Sequence, residues 1–277
     1  MIKIIVIHFN PDLDAIGAVW LWKKFNDDYK EAELAFVPAG NTYQNQKVDS
    51  HEDIIHLDTG LGKFDHHQLK NKTCATELVF NYLKSKNKQL KNDKALIRLI
   101  KVINRIDNFE ECLWPNPSAD YFNFNLPEIL RGLRTSMGAD DKALLGFGLR
   151  CLDGVYNSLK IKINAEDELT KGYKFTTQWG KAIGCLTQND EVLKLGQKLG
   201  YVLVVQKDPR TEHIRIKARP DKKIDLTVVK NKLKKLDPKA SWFLHISKRM
   251  LLNGSSKNPL VVPSKLSLKK VIEIIQL

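Results

Sequence analysis

Residues 2–17, IKIIVIHFNPDLDAIG, decide how the first half of this chain is read. Ile2–Ile7 is apolar apart from Lys3, the pattern of a strand buried on both faces as in a parallel sheet. His8 follows at once, then Asp12 and Asp14, with Pro11 stiffening the turn and disfavouring helix at Asn10. Apolar residues at helical spacing run on to Phe25, so a helix should begin near Asp14, with Asp12 or Asp14 as its cap. Further out, Glu33–Val37 and Asp53–Asp58 read as two more strands, the second ending in Asp58, Thr59 and Gly60. Strand, helix, strand, and a strand ending in an acid together indicate an open α/β sheet with its site at the carboxyl edge.

Helical spacing recurs over Thr76–Ser85, Asp93–Ile106, Pro127–Leu133 and Lys142–Leu159, and Ala165–Gly180 reads as a connecting helix. The basic, Asn-rich stretch Lys84–Lys94 reads as a solvated turn. From Lys181 the texture changes. Strands are expected at Gly184–Thr187, Tyr201–Val205, His213–Lys217 and Ser241–Ile246, and helices at Asp190–Leu199, Leu226–Leu236 and Ser267–Ile275. The fold class is therefore α/β. An N-terminal domain, residues 1–180, holds an open parallel-type sheet with helices, and a smaller α+β domain follows at 181–277.

The length of 277 residues and the 43% hydrophobic content suit two domains with full cores. No apolar run approaches a membrane span, and the N-terminal apolar run is too short for a signal peptide. Cys74, Cys112, Cys151 and Cys185 are scattered without a CxxC pair, which suits reduced, buried thiols in a cytoplasmic protein. The net charge of +13 is uneven: residues 1–180 carry 24 basic and 24 acidic side chains, and residues 181–277 carry 21 and 8. The whole excess lies in the last third. A basic module joined to a neutral one suits a phosphate-rich partner held near a reacting centre, and it also suits a lysine-rich solvated surface. The oligomeric state is not legible.

Chemistry concentrates in the first 107 residues: His8, Asp12 and Asp14, then His56 and Asp58, then Asp65-His66-His67, then Arg105-Ile-Asp107. Singly, Asp12 or Asp14 is an ordinary cap, His66-His67 an ordinary surface pair, and Asp107 a common helix-end acid. In this order they form a set of oxygen and imidazole ligands without thiolate, suited to Mn²⁺, Mg²⁺ or Co²⁺. Two such ions about 3.5–4 Å apart clamp the attacking and leaving oxygens at phosphorus.

On these residues the chain resembles the DHH phosphoesterase superfamily, which includes RecJ exonucleases, NrnA-type oligoribonucleases, cyclic dinucleotide phosphodiesterases and family II inorganic pyrophosphatases. The stretch from His8 to Gly17 is similar to its first motif, Asp58 to the second, Asp65-His66-His67 to the name-giving third, and Asp107 to the fourth. The resemblance implies one metal on His8, Asp12 and Asp58, and another on Asp14, Asp58, His66 and Asp107, with Asp58 as bridge. It implies that His67 contacts the substrate phosphate and that Asp65 orients a histidine. Asp58, Asp65 and His67 are thus the expected catalytic group. Only six residues separate Asp58 from Asp65, a tighter spacing than in the pyrophosphatases and RecJ.

Many members of that superfamily carry a GGGH-type loop that binds the substrate's end. Here the corresponding region is Asn253 to Pro259, with one glycine and no histidine. Gly254, Ser255, Ser256 and Lys257 still offer backbone N–H groups, hydroxyls and a counter-charge, and Lys248 and Arg249 lie near in sequence. Arg215 and Arg219 are further candidate phosphate contacts, and Trp242 or Phe243 a candidate base platform, although one of that pair must face a core. The expectation is a Mn²⁺-dependent phosphodiesterase or exonuclease using two divalent ions on short nucleic acids or nucleotides. The alternatives are a small-molecule phosphatase or pyrophosphatase-like hydrolase, and a non-catalytic nucleic-acid or nucleotide-binding protein.

Overall fold

The computed structural model describes residues 2–138, 140–255 and 257–276. It forms two compact units, Met1–Leu159 and Lys160–Leu277. The class is α/β, with a three-stranded parallel sheet in the first unit and a six-stranded mixed sheet in the second.

In the first unit β1 (Ile4–His8) lies between β2 (Glu33–Val37) and β3 (Ile54–His56), both parallel to it. Ile5, Val6 and Ile7 are fully buried, so the unbroken apolar run is that of a strand covered on both faces. Because all three strands run the same way, His8 and the residues after His56 emerge at one edge. The Leu57 amide still donates to the Val6 carbonyl at 2.9 Å, which carries the pairing to the doorstep of Asp58.

Helix α1 (Leu13–Phe25) starts from Asp12, whose carboxylate accepts from the Asp14 and Ala15 amides at 2.9 and 3.0 Å. Helix α2 (Ala75–Lys86) is capped from elsewhere. Its own N-cap residue, Cys74, supplies no side-chain bond, and the Asp14 carboxylate instead accepts from Ala75 at 2.6 Å and Thr76 at 2.8 Å. The Thr76 hydroxyl returns a bond to the Asp14 carbonyl at 2.9 Å. Helix α3 (Lys94–Asp107) is capped by Asp93 and ends at Asp107. Helix α4 (Leu126–Met137) and the first part of α5 (Asp141–Lys171) complete the unit.

The second unit begins within α5. Its sheet runs β4-β5-β6-β7-β9-β8, with β4 (Tyr173–Thr177), β5 (Gly180–Leu186), β6 (Leu203–Lys207), β7 (Ile214–Ala218), β8 (Phe243–Leu244) and β9 (Met250–Asn253). Among the described residues of this sheet only β5 and β6 pair in parallel. Side chains alternate between two cores: Leu203 and Val205 face α7 (Thr227–Leu236) and α8 (Leu268–Gln276), while Val204 faces α6 (Glu191–Lys198) and the end of α5.

Several expectations need correction. The connecting helix expected over Ala165–Gly180 stops at Lys171, and Tyr173–Thr177 pairs with Gly180–Leu186 as a hairpin. The strand expected over Ser241–Ile246 shrinks to Phe243–Leu244, because its partner β9 turns back at His245–Lys248. Strand β9 itself was not expected. Cys112 is exposed rather than buried, and all four cysteines are free. Among the described residues no helix is long and apolar enough to cross a membrane.

Gly17 fixes how closely α1 meets its neighbours. A Cβ there would lie 2.4 Å from the Thr76 hydroxyl and 2.9 Å from Ile103 Cδ1. Gly17→Ala should therefore push α2 away and loosen the Asp14 cap, at a cost of about 1–3 kcal/mol. A thermal melt measures this directly, and a wild-type melting temperature would show that the approach is not tight.

Candidate metal centre

Two strand ends and two helix termini deliver the side chains. His8 closes β1, Asp58 follows β3, Asp12 and Asp14 open α1, and Asp107 closes α3. Asp58 takes a left-handed backbone, φ 57°, as does Asn10 at φ 61°, a conformation that short polar residues tolerate best among non-glycines. The bend at Asp58 is held by its amide, which donates to the Phe64 carbonyl at 3.0 Å. That bond folds the Asp65-His66-His67 segment back against Asp58.

Three overlapping groups result, each with ligand atoms within 4.8 Å of one another: His8, Asp12 and Asp58; Asp14, His66 and Asp107; and Asp58, His66 and His67. Asp58 is 2% exposed and reaches both ways. Its Oδ2 lies 3.3 Å from His8 Nε2, and its Oδ1 lies 3.4 Å from His66 Nε2. His66 Nε2 is also 3.7 Å from Asp14 Oδ2 and 3.6 Å from Asp107 Oδ2.

The donor set fits divalent cations on three observations. Asp58 Oδ1 is buried and makes no hydrogen bond among the described residues, an orphaned carboxylate oxygen that a cation would satisfy. His8 Nδ1 is 2.7 Å from the Phe9 carbonyl, which can only accept, so Nδ1 carries a proton and Nε2, facing Asp58, is the nitrogen that a metal would take once it displaces the second proton. Asp14, 1% exposed, spends one bond from each oxygen on capping α2, and each oxygen retains a second lone pair.

Charge is crowded here. Burial and the Asp58 and Asp107 charges push the Asp14 carboxyl up to about 7. Burial raises Asp107 to about 6. Against the opposing effect of burial, Asp58 raises His8 to about 9, and the Asp58 contact raises His66 to about 9. Asp58 is the reciprocal case: burial pushes it up, but His66 and His8 hold it down to about 2. Without metal, protons on these groups neutralise the cluster.

Asp65 and His67 lie at the margin of these groups, with His67 Nδ1 3.9 Å from Asp58 Oδ1. Asp65 is 1% exposed; it accepts from the Leu61 amide at 2.7 Å and from His67 Nδ1 at 2.7 Å. His67 is 58% exposed, with Nδ1 engaged and the far edge of the ring open. His56, quoted with Asp58 in the sequence, takes no part. It is buried, and its Nε2 accepts from the Tyr43 amide at 3.0 Å.

In the second unit, Lys248 and Arg249 precede β9 whereas Gly254 and Ser255 follow it, so the strand separates them. Lys248 pairs with Asp225 at 2.9 Å, and Arg249 Nε donates to the Asp221 carbonyl at 2.6 Å. Lys257 is exposed, and Ser256 lies outside the described residues. Trp242 packs on a core and Phe243 is exposed. Sequence reasoning missed His213, whose ring lies against Gly254. A Cβ at Gly254, φ 85°, would be 2.5 Å from the imidazole. His213, Arg210, Arg215 and Ser255 line a cleft of about 450 Å³. Arg215 is buried and pairs with Asp190, and its Nε lacks a partner among the described residues. Only the pairing of Ile214 with Asn253 reveals this cluster, and no local signal does.

A family model described as ChrB, C-terminal domain, matches residues 6–159, more than half of the chain. The chain belongs to this family. The ChrB match coincides with the first compact unit and contains every residue of the three metal-ligand groups. It names ChrB and not the DHH phosphoesterases. No curated protein matches the chain. Among solved structures, an exopolyphosphatase-related protein from Bacteroides fragilis is similar at 11% identity, covering 98% of this chain and 90% of that chain. The TM-score is 0.22, too low to bear on the ChrB-type unit or its site.

Two outcomes follow from the geometry. Asp58→Asn removes the charge that both sides of the cluster share and replaces one of its two oxygens with an amide nitrogen, whereas Asp107→Asn affects one side. Elemental analysis after Mn²⁺ loading and desalting should show the larger loss for Asp58→Asn, and equal retention in both would remove Asp58 from the bridge position. The second outcome concerns pH. Raised histidines contribute stability that is complete below about 6.5 and lost as pH rises through about 9. Raised carboxyls act in the same direction: Asp14 favours the folded state while protonated and loses that contribution as pH rises from 3.8 through about 7. Asp58 works oppositely, but only between its ordinary value and about 2. Metal-stripped protein should thus melt lower at pH 9 than at pH 6, and saturating Mn²⁺ should abolish or reverse that trend because the ligands bind deprotonated. A stripped protein more stable at pH 9 would contradict the charge assignment.

Proposed function

We propose that this protein is a metal-dependent phosphodiesterase acting on short nucleic acids or nucleotides, with Mn²⁺ as the working ion and the cytoplasm as its compartment. The observation that carries the reading is the two-sided Asp58 carboxylate. One oxygen faces the group of His8 and Asp12, and the other faces His66 beside Asp14 and Asp107. The motif resemblance to DHH phosphoesterases supports the reading independently of the ChrB match. The His67 ring, held by Asp65 and open to solvent on its far edge beside these groups, is a further reason to favour reaction over storage.

Two bound divalent ions would polarise the phosphoryl oxygens and supply a nucleophile at neutral pH. The protein's own contributions are positional. His8 and Asp12 would hold an ion on one side and Asp14, His66 and Asp107 on the other, with Asp58 between them. Asp65 locks the His67 ring through Nδ1, leaving Nε2 for a non-bridging oxygen of the substrate, where it stabilises developing charge. Taken by itself, the second unit is suited to a phosphate-rich ligand by the basic excess of residues 181–277, with Gly254, Ser255, His213 and Lys257 as its candidate contacts.

Hydrolysis of end-labelled dinucleotides, longer DNA and RNA, cyclic dinucleotides and pyrophosphate in Mn²⁺ buffer tests this. Dinucleotide cleavage is expected, abolished by chelation and restored by Mn²⁺. Faster turnover of pyrophosphate than of dinucleotides would move the assignment to a phosphoanhydride hydrolase. Saturable binding without turnover would make the protein a nucleotide binder.

A further inference from the structure

Phe109 is in the wrong place for its residue type. Helix α3 ends at Asp107, Asn108 is its C-cap, and Phe109 follows in a left-handed backbone, φ 57° and ψ 22°. Its amide donates to the Ile106 carbonyl at 2.9 Å, so the bend terminates the helix. Glycine is favoured at this position because a Cβ is strained there, and a bulky aromatic is a marked outlier. Packing does not repay the strain, since Phe109 is 75% exposed. Strain retained at an exposed aromatic, two residues from a proposed metal ligand, points to use of the ring.

The surroundings say what the ring would meet. Phe109 lines a cleft of about 380 Å³ with Pro11, Asp12, Leu13, Leu130 and Arg134. Asp12 belongs to a metal-ligand group, so the cleft and that group share a side chain. Pro11, Leu13 and Leu130 give it an apolar wall. Arg134 provides positive charge and stands 3.6 Å from Asp141, which also accepts from the Asn10 amide at 3.1 Å. The guanidinium is thereby held beside the loop from His8 to Asp14.

An open aromatic face, an apolar wall, a cation and a carboxylate of a metal-ligand group in one cleft match the parts of a nucleotide. We propose that this cleft receives the nucleobase next to the scissile phosphate, stacked on Phe109, with Arg134 at the neighbouring phosphate. The proposal rests on the phosphodiesterase reading and adds its specificity element. Stacking is tolerant of base identity because every base has a π-face, so the slot selects nucleotides over inorganic polyphosphate without selecting a sequence.

The test uses the full chain and a dinucleotide containing 2-aminopurine, whose fluorescence falls on stacking, joined by a methylenephosphonate that resists hydrolysis. Titration in Mn²⁺ buffer should quench wild type. Phe109→Gly should bind about tenfold more weakly without quenching, yet melt at a higher temperature, because glycine relieves the left-handed strain. Phe109→Tyr should restore affinity and quenching. Unchanged affinity and quenching in Phe109→Gly would overturn the proposal, and a lower melting temperature would assign the ring a packing role and overturn it too. Hydrolysis of the natural dinucleotide by wild type separates the two ideas. If wild type cleaves it while Phe109→Gly still binds normally, the base slot alone fails. If wild type neither binds nor cleaves, the phosphodiesterase reading falls and the slot with it.

Discussion

The site is governed by the convergence of four carboxylates, Asp12, Asp14, Asp58 and Asp107, at the carboxyl edge of a small parallel sheet. Like charges so close cannot all be ionised in a partly buried place without compensation. Three sources are built in. Helix N-termini face Asp12 and Asp14, imidazoles face Asp58, and protons are drawn onto Asp14 and Asp107. A pair of divalent cations would replace the protons and satisfy the orphaned Asp58 oxygen. The charge problem and the proposed chemistry are thus one arrangement.

Asp14 ties this arrangement to the fold. Its carboxylate caps α2, its carbonyl receives the Thr76 hydroxyl, and Gly17 one turn later allows the helices to meet closely. A substitution at Asp14 would therefore disturb folding and metal affinity together. Asp58 and Asp107 are cleaner probes, because neither caps a helix through its side chain. Asp65 plays a comparable local role, bracing the loop at Leu61 while orienting His67.

Much of the first unit was legible because its signals are local. The apolar run before His8, the cap at Asp12 and the strand Glu33–Val37 each follow from a few adjacent residues. The candidate ligands were legible for the same reason, since strand ends and helix ends concentrate them. Long-range pairing was not legible. Tyr173–Thr177 looked like more helix because its partner strand decides its state, and Met250–Asn253 becomes a strand only beside β7. The same pairing places His213 against Gly254. Capping of α2 by Asp14, across 61 positions, leaves no trace in local sequence. Nor does the backbone of Phe109, whose left-handed φ appears only once α3 has ended.

The most direct test of the central claim is a crystal grown with Mn²⁺ and measured at a wavelength where manganese scatters anomalously. Two peaks per chain are expected on either side of Asp58, one beside His8 and Asp12, the other beside Asp14, His66 and Asp107. A single peak, or none with Asp58 still paired to the two imidazoles, would contradict a two-ion centre built on that carboxylate.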